Sequence, residues 1–139
     1  MSKSGLLSCV GLGKVYREGS METPVLGGVD LVVEHGEMLA VVGSSGSGKS
    51  TLLHLLGALD TPTTGAVYFG EQDIHSWSER EQAAFRNREL GFVCQFHHLL
   101  GEFSALENAA MPLLIAGLPV KSATAKASAM LERVGLGHR

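Results

Sequence analysis

Hydrophobic and polar residues alternate in the first part of the chain. Leu6–Tyr16 and Val29–Val33 are rich in β-forming residues, and in the second segment every other position is apolar around Asp30. A period of two is typical of a strand with one buried face. The polar turn at 17–20 separates the two segments, so the pattern predicts two short strands here.

The pattern changes after residue 37. Met38–Val42 is a continuous run of five apolar residues, which predicts a strand covered on both faces. A loop of glycines and serines follows, and Lys49–Leu59 then carries leucines at helical spacing. The leucines expected on one buried face are Leu52, Leu55, Leu56 and Leu59.

Two more strands are predicted further along the chain. The cluster 60–65 contains threonines, a proline and a glycine, and it indicates a turn before a short strand at Ala66–Phe69. The segment Leu90–Cys94 has the length and the apolar content of another strand.

The helices of the second half have recognisable start signals. Ser78 with Glu81, and Ser104 with Glu107, have the spacing of a capping box at a helix N-terminus. A last helix is predicted over about 121–134, with Gly135 as its stop. The residues expected on its buried face are Ala127, Met130, Leu131 and Val134.

Composition limits the class of protein. The sequence has 139 residues, a net charge of −3, 45% hydrophobic residues and 18% charged residues. This balance is not that of a disordered chain, and the lack of a basic block argues against a nucleic-acid partner. Cys9 and Cys94 fit no metal spacing, so we expect free thiols in a reducing compartment.

Targeting signals are also missing from the pattern. The longest uncharged apolar stretch, 109–120, has twelve residues, fewer than the ~20 that a spanning helix needs. The first residues lack the apolar segment of a signal peptide. Together these features predict a soluble cytosolic α/β chain.

One segment carries clear chemistry. Gly43-Ser44-Ser45-Gly46-Ser47-Gly48-Lys49-Ser50 fits the pattern G-x-x-x-x-G-K-[ST]. Its glycines let the backbone wrap closely around an anion, and its N–H groups converge on phosphates at the positive end of a helix. Lys49 can neutralise the β- and γ-phosphates, and Ser50 can place its hydroxyl on Mg²⁺. The predicted ligand is a purine nucleoside triphosphate with Mg²⁺.

The loop and its following helix, 43–57, resemble the ATP-binding subunits of ABC transporters. Tyr16 stands upstream, where such subunits carry an aromatic residue that stacks on adenine. The turn 59–65 follows the helix as it does in the family, and Gln95 matches the family's glutamine loop. The segment from Gln95 to Leu100 is similar in particular to ATPases that release bacterial lipoproteins. ATPases of macrolide exporters and of the FtsE type are the alternatives.

The resemblance implies an α/β fold, the P-loop NTPase fold of an ABC-type nucleotide-binding domain. A small antiparallel β layer with the P-loop core is expected over about 6–95, and an incomplete helical subdomain over about 96–139. ATP is expected to contact Tyr16, Gly43, Ser44, Ser45, Gly46, Ser47, Gly48, Lys49, Ser50 and Thr51. Mg²⁺ is expected at Ser50 and Gln95, and Gln95 would also sense the attacking water.

The resemblance also implies partners. Two such subunits would form a homodimer on the cytoplasmic face of the bacterial inner membrane, and integral membrane permease subunits would contact the region from Gln95 to Phe103. His97 and His98 are adjacent, so their side chains point to opposite sides of an extended segment and cannot easily share a metal ion. Contact with a membrane partner is the preferred interpretation. The apolar residues in this region either cover a helical core or form a groove for the partner's helix.

Several motifs of the family do not occur in this sequence. It contains no Leu-Ser-Gly-Gly signature, no acidic strand with a catalytic Glu and no switch histidine. We therefore expect the N-terminal part of a longer protein, with no catalytic residue of its own and no ATP hydrolysis when it is alone. A binding-only fragment is the alternative. A GTPase is disfavoured because no Asn-Lys-x-Asp motif is present, and a small-molecule kinase because no Arg-rich lid is evident.

Overall fold

A computed structural model of the chain describes residues 5–139. The chain forms two compact units, one up to Ala83 and one from Ala84 to Arg139. The expectation of one ATP-binding domain, with a helical part that begins near residue 96, remains a prediction.

The first unit contains a four-stranded antiparallel sheet and one α-helix beside it. The strands are β1 (Leu7–Glu18), β2 (Met21–Val33), β3 (Thr64–Phe69) and β4 (Gln72–Asp73), and the helix is α1 (Lys49–Leu56). The order in the sheet is β2-β1-β3-β4. A short 3₁₀ turn, Ile74–Ser76, follows β4.

The hairpin of β1 and β2 is longer than the sequence predicts. Glu18 pairs with Met21 across a tight turn, and pairing continues to Leu7 opposite Val33. Register shifts in β1 interrupt the regular alternation of the strand pair. Because of these irregularities, and of the proline and glycines inside β2, the first half of that strand shows no regular period-two pattern in the sequence.

Two predicted strands are wrong. Neither Met38–Val42 nor Leu90–Cys94 has strand structure, and Met38 is 99% exposed and Val42 87% exposed. A strand buried on both faces is stable only when neighbours accept its hydrogen bonds. Among residues 5–139, the sheet places no strand beside either segment.

Helix α1 packs its leucines into the core of the first unit. Its buried side chains are Leu52, Leu55 and Leu56, each of which contributes about 1.5–3 kcal/mol by burial. The helix ends earlier than predicted because Ala58 adopts a left-handed conformation (φ 58). The N–H of Leu59 then bonds to the carbonyl of His54 at 2.8 Å, as in a Schellman motif. Leu59 therefore lies outside the stripe and is 53% exposed.

The turn between α1 and β3 also lies next to β1 and bonds to it. The N–H of Thr63 donates to the carbonyl of Gly13 at 2.9 Å, and the Thr63 hydroxyl accepts from the N–H of Val15 at 2.9 Å. Gly65 follows with φ 80, and a Cβ atom there would collide with the carbonyl group of Gly11. The turn can approach β1 this closely only because Gly65 has no side chain.

Both cysteines are free, as predicted. Cys9 is fully buried in β1, and its thiol lies 3.5 Å from the carbonyl oxygen of Val29. Burial raises the pKa of the Cys9 thiol, and the nearby charge of Asp30 raises it further. A buried thiol with a raised pKa is a poor nucleophile, so Cys9 serves packing in this strand. Cys94 is exposed.

The second half of the chain is helical. Its helices are α2 (Glu79–Glu89), α3 (Ala105–Ile115) and α4 (Val120–Arg133). Both predicted capping boxes are confirmed. The Ser78 N–H donates to the Glu81 carboxylate at 2.8 Å, and the Glu81 N–H donates to the Ser78 hydroxyl at 3.2 Å. Ser104 and Glu107 exchange the same pair of bonds at the start of α3.

The core of the second unit is formed by small residues of α3 and α4. Ala110, Ala123 and Ala127 form a buried cluster, and Leu106 and Leu113 are among the residues packed against it. The predicted face of α4 is correct at Ala127, which is buried, and Leu131 is half-buried, but the prediction is wrong at Met130 and Val134. Met130 and Val134 are exposed, whereas Ala123 is buried, because the contact with α3 uses alanines four residues apart, which share one helix face. None of the helices within residues 5–139 is both long enough and apolar enough to cross a membrane.

The close approach at Gly65 leads to a prediction for stability. We expect Gly65→Ala to destabilise the full-length protein by about 2–5 kcal/mol, from a strained left-handed alanine and a collision with β1. Gly19→Ala is the matched control, because Gly19 also has positive φ but has open space around it, so only about 1–2 kcal/mol should be lost. Urea unfolding of both variants measures the difference. Equal losses would show that the β1 contact does not constrain Gly65.

Candidate nucleotide site

The end of the glycine-serine loop rests directly on the hairpin. Gly48 is the residue before α1 and has φ 96. A Cβ atom there would lie 2.9 Å from Leu26 Cδ2 and 3.1 Å from the carbonyl oxygen of Val25, both in β2. A side chain would have no room, and an L-residue would be strained at this φ. The glycine therefore allows the loop to pack against β2 and fixes where α1 begins.

The loop is folded around the ammonium group of Lys49. Lys49 Nζ donates to the carbonyl oxygens of Gly43 at 2.6 Å and Ser44 at 2.7 Å, and lies 3.5 Å from Ser47 Oγ. An ammonium has three donors, so two strong bonds leave one donor that is only weakly engaged. The geometry places a full positive charge inside the loop, with donor capacity left for an anion.

The N-terminus of α1 is available to a ligand. Within residues 5–139, no side chain caps this helix, whereas α2 and α3 both have capping boxes. The first N–H groups of a helix have no intrahelical partner and lie at the positive end of its dipole. In α1 these are the N–H groups of Lys49, Ser50 and Thr51. A phosphate at this end would satisfy them, and the exposed Ser50 side chain lies in the same turn.

Tyr16 lies near the end of β1 and is 41% exposed. Its hydroxyl donates to Asp60 Oδ2 at 2.9 Å, and the ammonium of Lys14 lies 5.0 Å from the centre of its ring. Lys14 also forms an ion pair with Asp60 Oδ1 at 3.2 Å. Neither Lys14 nor Asp60 is among the site residues predicted from the sequence. The spacing of Lys14 and Tyr16, two residues apart on one strand face, was the available signal.

The fold brings Tyr16 and the loop to the same part of the hairpin. Leu26, which contacts Gly48, pairs with Lys14 across the two strands. Tyr16 is two residues further along β1, a distance of about 7 Å at the usual rise of a strand. The aromatic residue and the phosphate loop predicted from the sequence therefore lie on one structural unit and close to each other.

Asp60 is ionised at neutral pH. Burial raises its pKa, but the N–H of Thr61, the Tyr16 hydroxyl and the Lys14 ammonium bond to its carboxylate, and together they hold the pKa below the usual value. A carboxyl with a lowered pKa stabilises the fold above its unfolded pKa, and this stabilisation is lost as the pH falls through the folded pKa. At neutral pH the carboxylate is therefore available as an acceptor for all three donors.

Gln95 lies in the second unit. It is exposed, at a bend in an irregular segment, and it does not end a strand as predicted, because Leu90–Cys94 is not one. His97 Nδ1 accepts a hydrogen bond from the N–H of Leu99 at 3.1 Å, and His98 has a left-handed backbone with φ 53. The ring of His97 is thus bonded to the backbone two residues further along the chain.

Asn108 organises the chain that follows these histidines, a role that was not predicted from the sequence. Its side-chain oxygen accepts from the N–H of Leu100 at 2.9 Å. Its amide group lies within hydrogen-bonding distance of three carbonyl oxygens, those of Leu100 at 3.1 Å, Phe103 at 3.2 Å and Ser104 at 3.0 Å. One side chain in the first turn of α3 therefore holds the loop before that helix.

Apolar side chains on this segment face solvent. Phe96 is 71% exposed, and Leu99, Leu100 and Phe103 are exposed as well. The buried cluster of α3 and α4 contains none of them. Within residues 5–139, these four side chains therefore do not cover the buried core of α3 and α4.

The chain belongs to the ABC transporter family, whose profile matches residues 26–139. Among curated relatives, the lipoprotein-releasing system ATP-binding protein LolD of Pseudoalteromonas translucida is 61% identical over 134 residues, which are 96% of this chain and 58% of that protein. LolD of Pseudomonas fluorescens is 55% identical over 139 residues, 100% of this chain and 61% of that protein. The chain thus spans roughly three fifths of the length of these relatives.

Solved structures agree with the assignment of the family. A dimeric post-hydrolysis state of an ATP-binding cassette bound to ADP and Pi superposes with a TM-score of 0.84 at 31% identity, over 91% of this chain and 56% of that one. A dimeric bacterial ABC transporter cassette gives the same values. The predicted ABC-type P-loop fold is confirmed.

The position of Lys49 leads to a prediction for binding. We expect Lys49→Ala to weaken triphosphate binding by the full-length protein about ten- to a hundredfold, because one charge-assisted bond is lost. Isothermal titration calorimetry with Mg-ATP measures the change. Lys126→Ala, which removes an exposed lysine of α4, is the control for net charge and should bind like the wild type. Unchanged affinity of Lys49→Ala would show that the loop is not the phosphate site.

Proposed function

We propose that this chain provides the nucleotide cradle of an ATP-binding subunit that couples ATP hydrolysis to the release of lipoproteins from the bacterial inner membrane. The observation that carries the proposal is the loop 43–48, folded around Lys49 and leading into the uncapped α1. That cradle occurs in a chain 55–61% identical to LolD proteins. ATP-driven transport is the activity that this combination supports best.

Each part of the cradle has a role toward ATP. The N–H groups at the start of α1 and the Lys49 ammonium would hold the β- and γ-phosphates. Ser50 would hold Mg²⁺, which supplies neutralisation of phosphate charge when it is bound. Tyr16 would stack on the base. Gln95 would contact Mg²⁺ and the attacking water and relay the state of the nucleotide to a membrane partner.

The partner surface is proposed for the region from Gln95 to Phe103. Its exposed apolar side chains and the backbone fixed by Asn108 support contact with a helix of LolC- or LolE-like permease subunits. The subunit would act as a homodimer, peripheral on the cytoplasmic face of the inner membrane. Export of macrolides and an FtsE-type role are the alternatives within the same family.

Reconstitution of the transport complex tests the proposal. The full-length protein is purified with its permease subunits in proteoliposomes that contain a radiolabelled lipoprotein. We expect ATP-dependent release of the lipoprotein and no release with Lys49→Ala, which lacks the cation of the cradle. ATP hydrolysis stimulated by a macrolide, without release of lipoprotein, would support the export alternative and contradict the proposal.

A variant of the partner region belongs in the same experiment. Changing His97 and His98 to Ala should leave ATP hydrolysis by the isolated full-length subunit unchanged and reduce its stimulation by the permeases. The matched control is His54→Ala, because His54 is an exposed histidine of α1 outside the partner region. A lower rate of the isolated double variant would contradict a role in partner contact.

We further propose that residues 1–139 by themselves hold nucleotide without hydrolysing it. The sequence offers no carboxylate in a motif for activating water, and the apolar segment Met38–Val42 is exposed without strand partners, which favours marginal stability. A phosphate-release assay on purified residues 1–139 should show no turnover of Mg-ATP above background. Thermal unfolding of the same sample should show only marginal stability. Turnover of Mg-ATP that Lys49→Ala abolishes would contradict this proposal.

A further inference from the structure

Tyr16 is held at both ends of its side chain. Its Cβ is fixed to β1, and its hydroxyl bonds to Asp60, 44 positions further along the chain. A tyrosine side chain has one staggered torsion and one broad torsion to fix. Rotation about the first would carry the hydroxyl away from the carboxylate. The bond to Asp60 therefore selects one orientation of the ring.

Asp60 is itself held in place by other contacts, and its two carboxylate oxygens accept hydrogen bonds from different donors. Oδ2 accepts from the Tyr16 hydroxyl. Oδ1 accepts from the N–H of Thr61 at 2.8 Å and from Lys14 Nζ at 3.2 Å. Lys14 Nζ also donates to the carbonyl of Thr61 at 2.6 Å. These bonds fix the carboxylate to the turn and to β1 independently of its bond to the Tyr16 hydroxyl.

Lys14 affects the ring directly. Its ammonium lies 5.0 Å from the centre of the Tyr16 ring, within the range of a cation–π contact. A cation over one face of the ring leaves the opposite face for a flat partner. The cluster of Lys14, Tyr16 and Asp60 therefore sets both the orientation of the ring and the face on which a base can stack.

We propose that Asp60 is a positioning residue for nucleotide binding, which fixes the Tyr16 ring for base stacking without touching the nucleotide. The inference rests on the proposed function, in which Tyr16 stacks on the base of ATP. The affinity for the base then depends on Asp60 and on the Tyr16 hydroxyl, while the affinity for the phosphates depends on the loop and Lys49.

The experiment compares two ligands on the full-length protein. Mg-ATP and magnesium inorganic triphosphate are titrated by calorimetry into Tyr16→Ala, Tyr16→Phe, Asp60→Ala and the double variant that combines Tyr16→Phe with Asp60→Ala. Loss of the hydrogen bond between Tyr16 and Asp60, which both single variants break, should weaken ATP binding by about two- to tenfold, while triphosphate binding stays within about twofold. Since both changes break the same bond, the double variant should be no weaker than the more impaired single variant.

Two further variants complete the test. Asp60→Asn keeps an oxygen that can accept from the Tyr16 hydroxyl, so it should recover part of the ATP affinity lost in Asp60→Ala. Glu22→Ala removes the exposed ion pair with Arg17 on the same hairpin, whose atoms are 3.1 Å apart, and it should bind both ligands like the wild type.

The outcomes separate the inference from the proposed function. If Tyr16→Ala weakens ATP binding but Tyr16→Phe and Asp60→Ala do not, stacking stands and the positioning role of Asp60 is overturned. Equal weakening of ATP and triphosphate in Asp60→Ala, or additive effects in the double variant, would also overturn it. If Tyr16→Ala leaves ATP binding unchanged, the stacking role itself fails. Tyr16→Phe retains the ring, so its result remains informative if Asp60→Ala does not fold.

Discussion

The contact between Gly48 and β2 fixes the position of the start of α1 and, with it, of Lys49. A side chain at this residue would collide with Leu26 and with the backbone of Val25. The end of the glycine-serine loop can therefore lie close against β2, and α1 begins there with no side chain capping its N–H groups. Lys49 is the next residue, so its ammonium turns back onto the carbonyl groups of the loop. The geometry of the proposed phosphate site depends on a close backbone approach that only glycine permits.

The far end of α1 is tied to the sheet by a second close approach. Thr63 bonds to β1 beyond the last residue that pairs with β3, and Gly65 lies against Gly11 without space for a side chain. The same turn carries Asp60, which receives the Tyr16 hydroxyl. The contacts that hold the turn on β1 thus also hold the aromatic residue of the site. The same few bonds therefore contribute both to the attachment of the turn to β1 and to the position of Tyr16.

In the second unit, exposed apolar side chains lie on a loop whose backbone is held by hydrogen bonds. Apolar side chains on an exposed loop tend to collapse onto the nearest core, because burial of their surface is favourable. Here Asn108 bonds to backbone groups on both sides of the loop before α3. The capping box of Ser104 and Glu107 fixes the start of the helix beside it. The backbone is therefore ordered locally while Phe96 and its apolar neighbours remain exposed.

The sequence by itself determined the features that depend on neighbours within a few positions. The two capping boxes and three of the four leucines predicted for the buried face of α1 each follow from residues one to four apart, and these features are found in the structure. Only the tertiary structure decided the extent of β2, the lack of strand structure at Met38–Val42, and the bond between Tyr16 and Asp60. The reason is that an apolar run gains strand structure only from the segments beside it. A hydrogen bond across 44 positions likewise depends on a fold that brings both residues together, which local spacing does not encode.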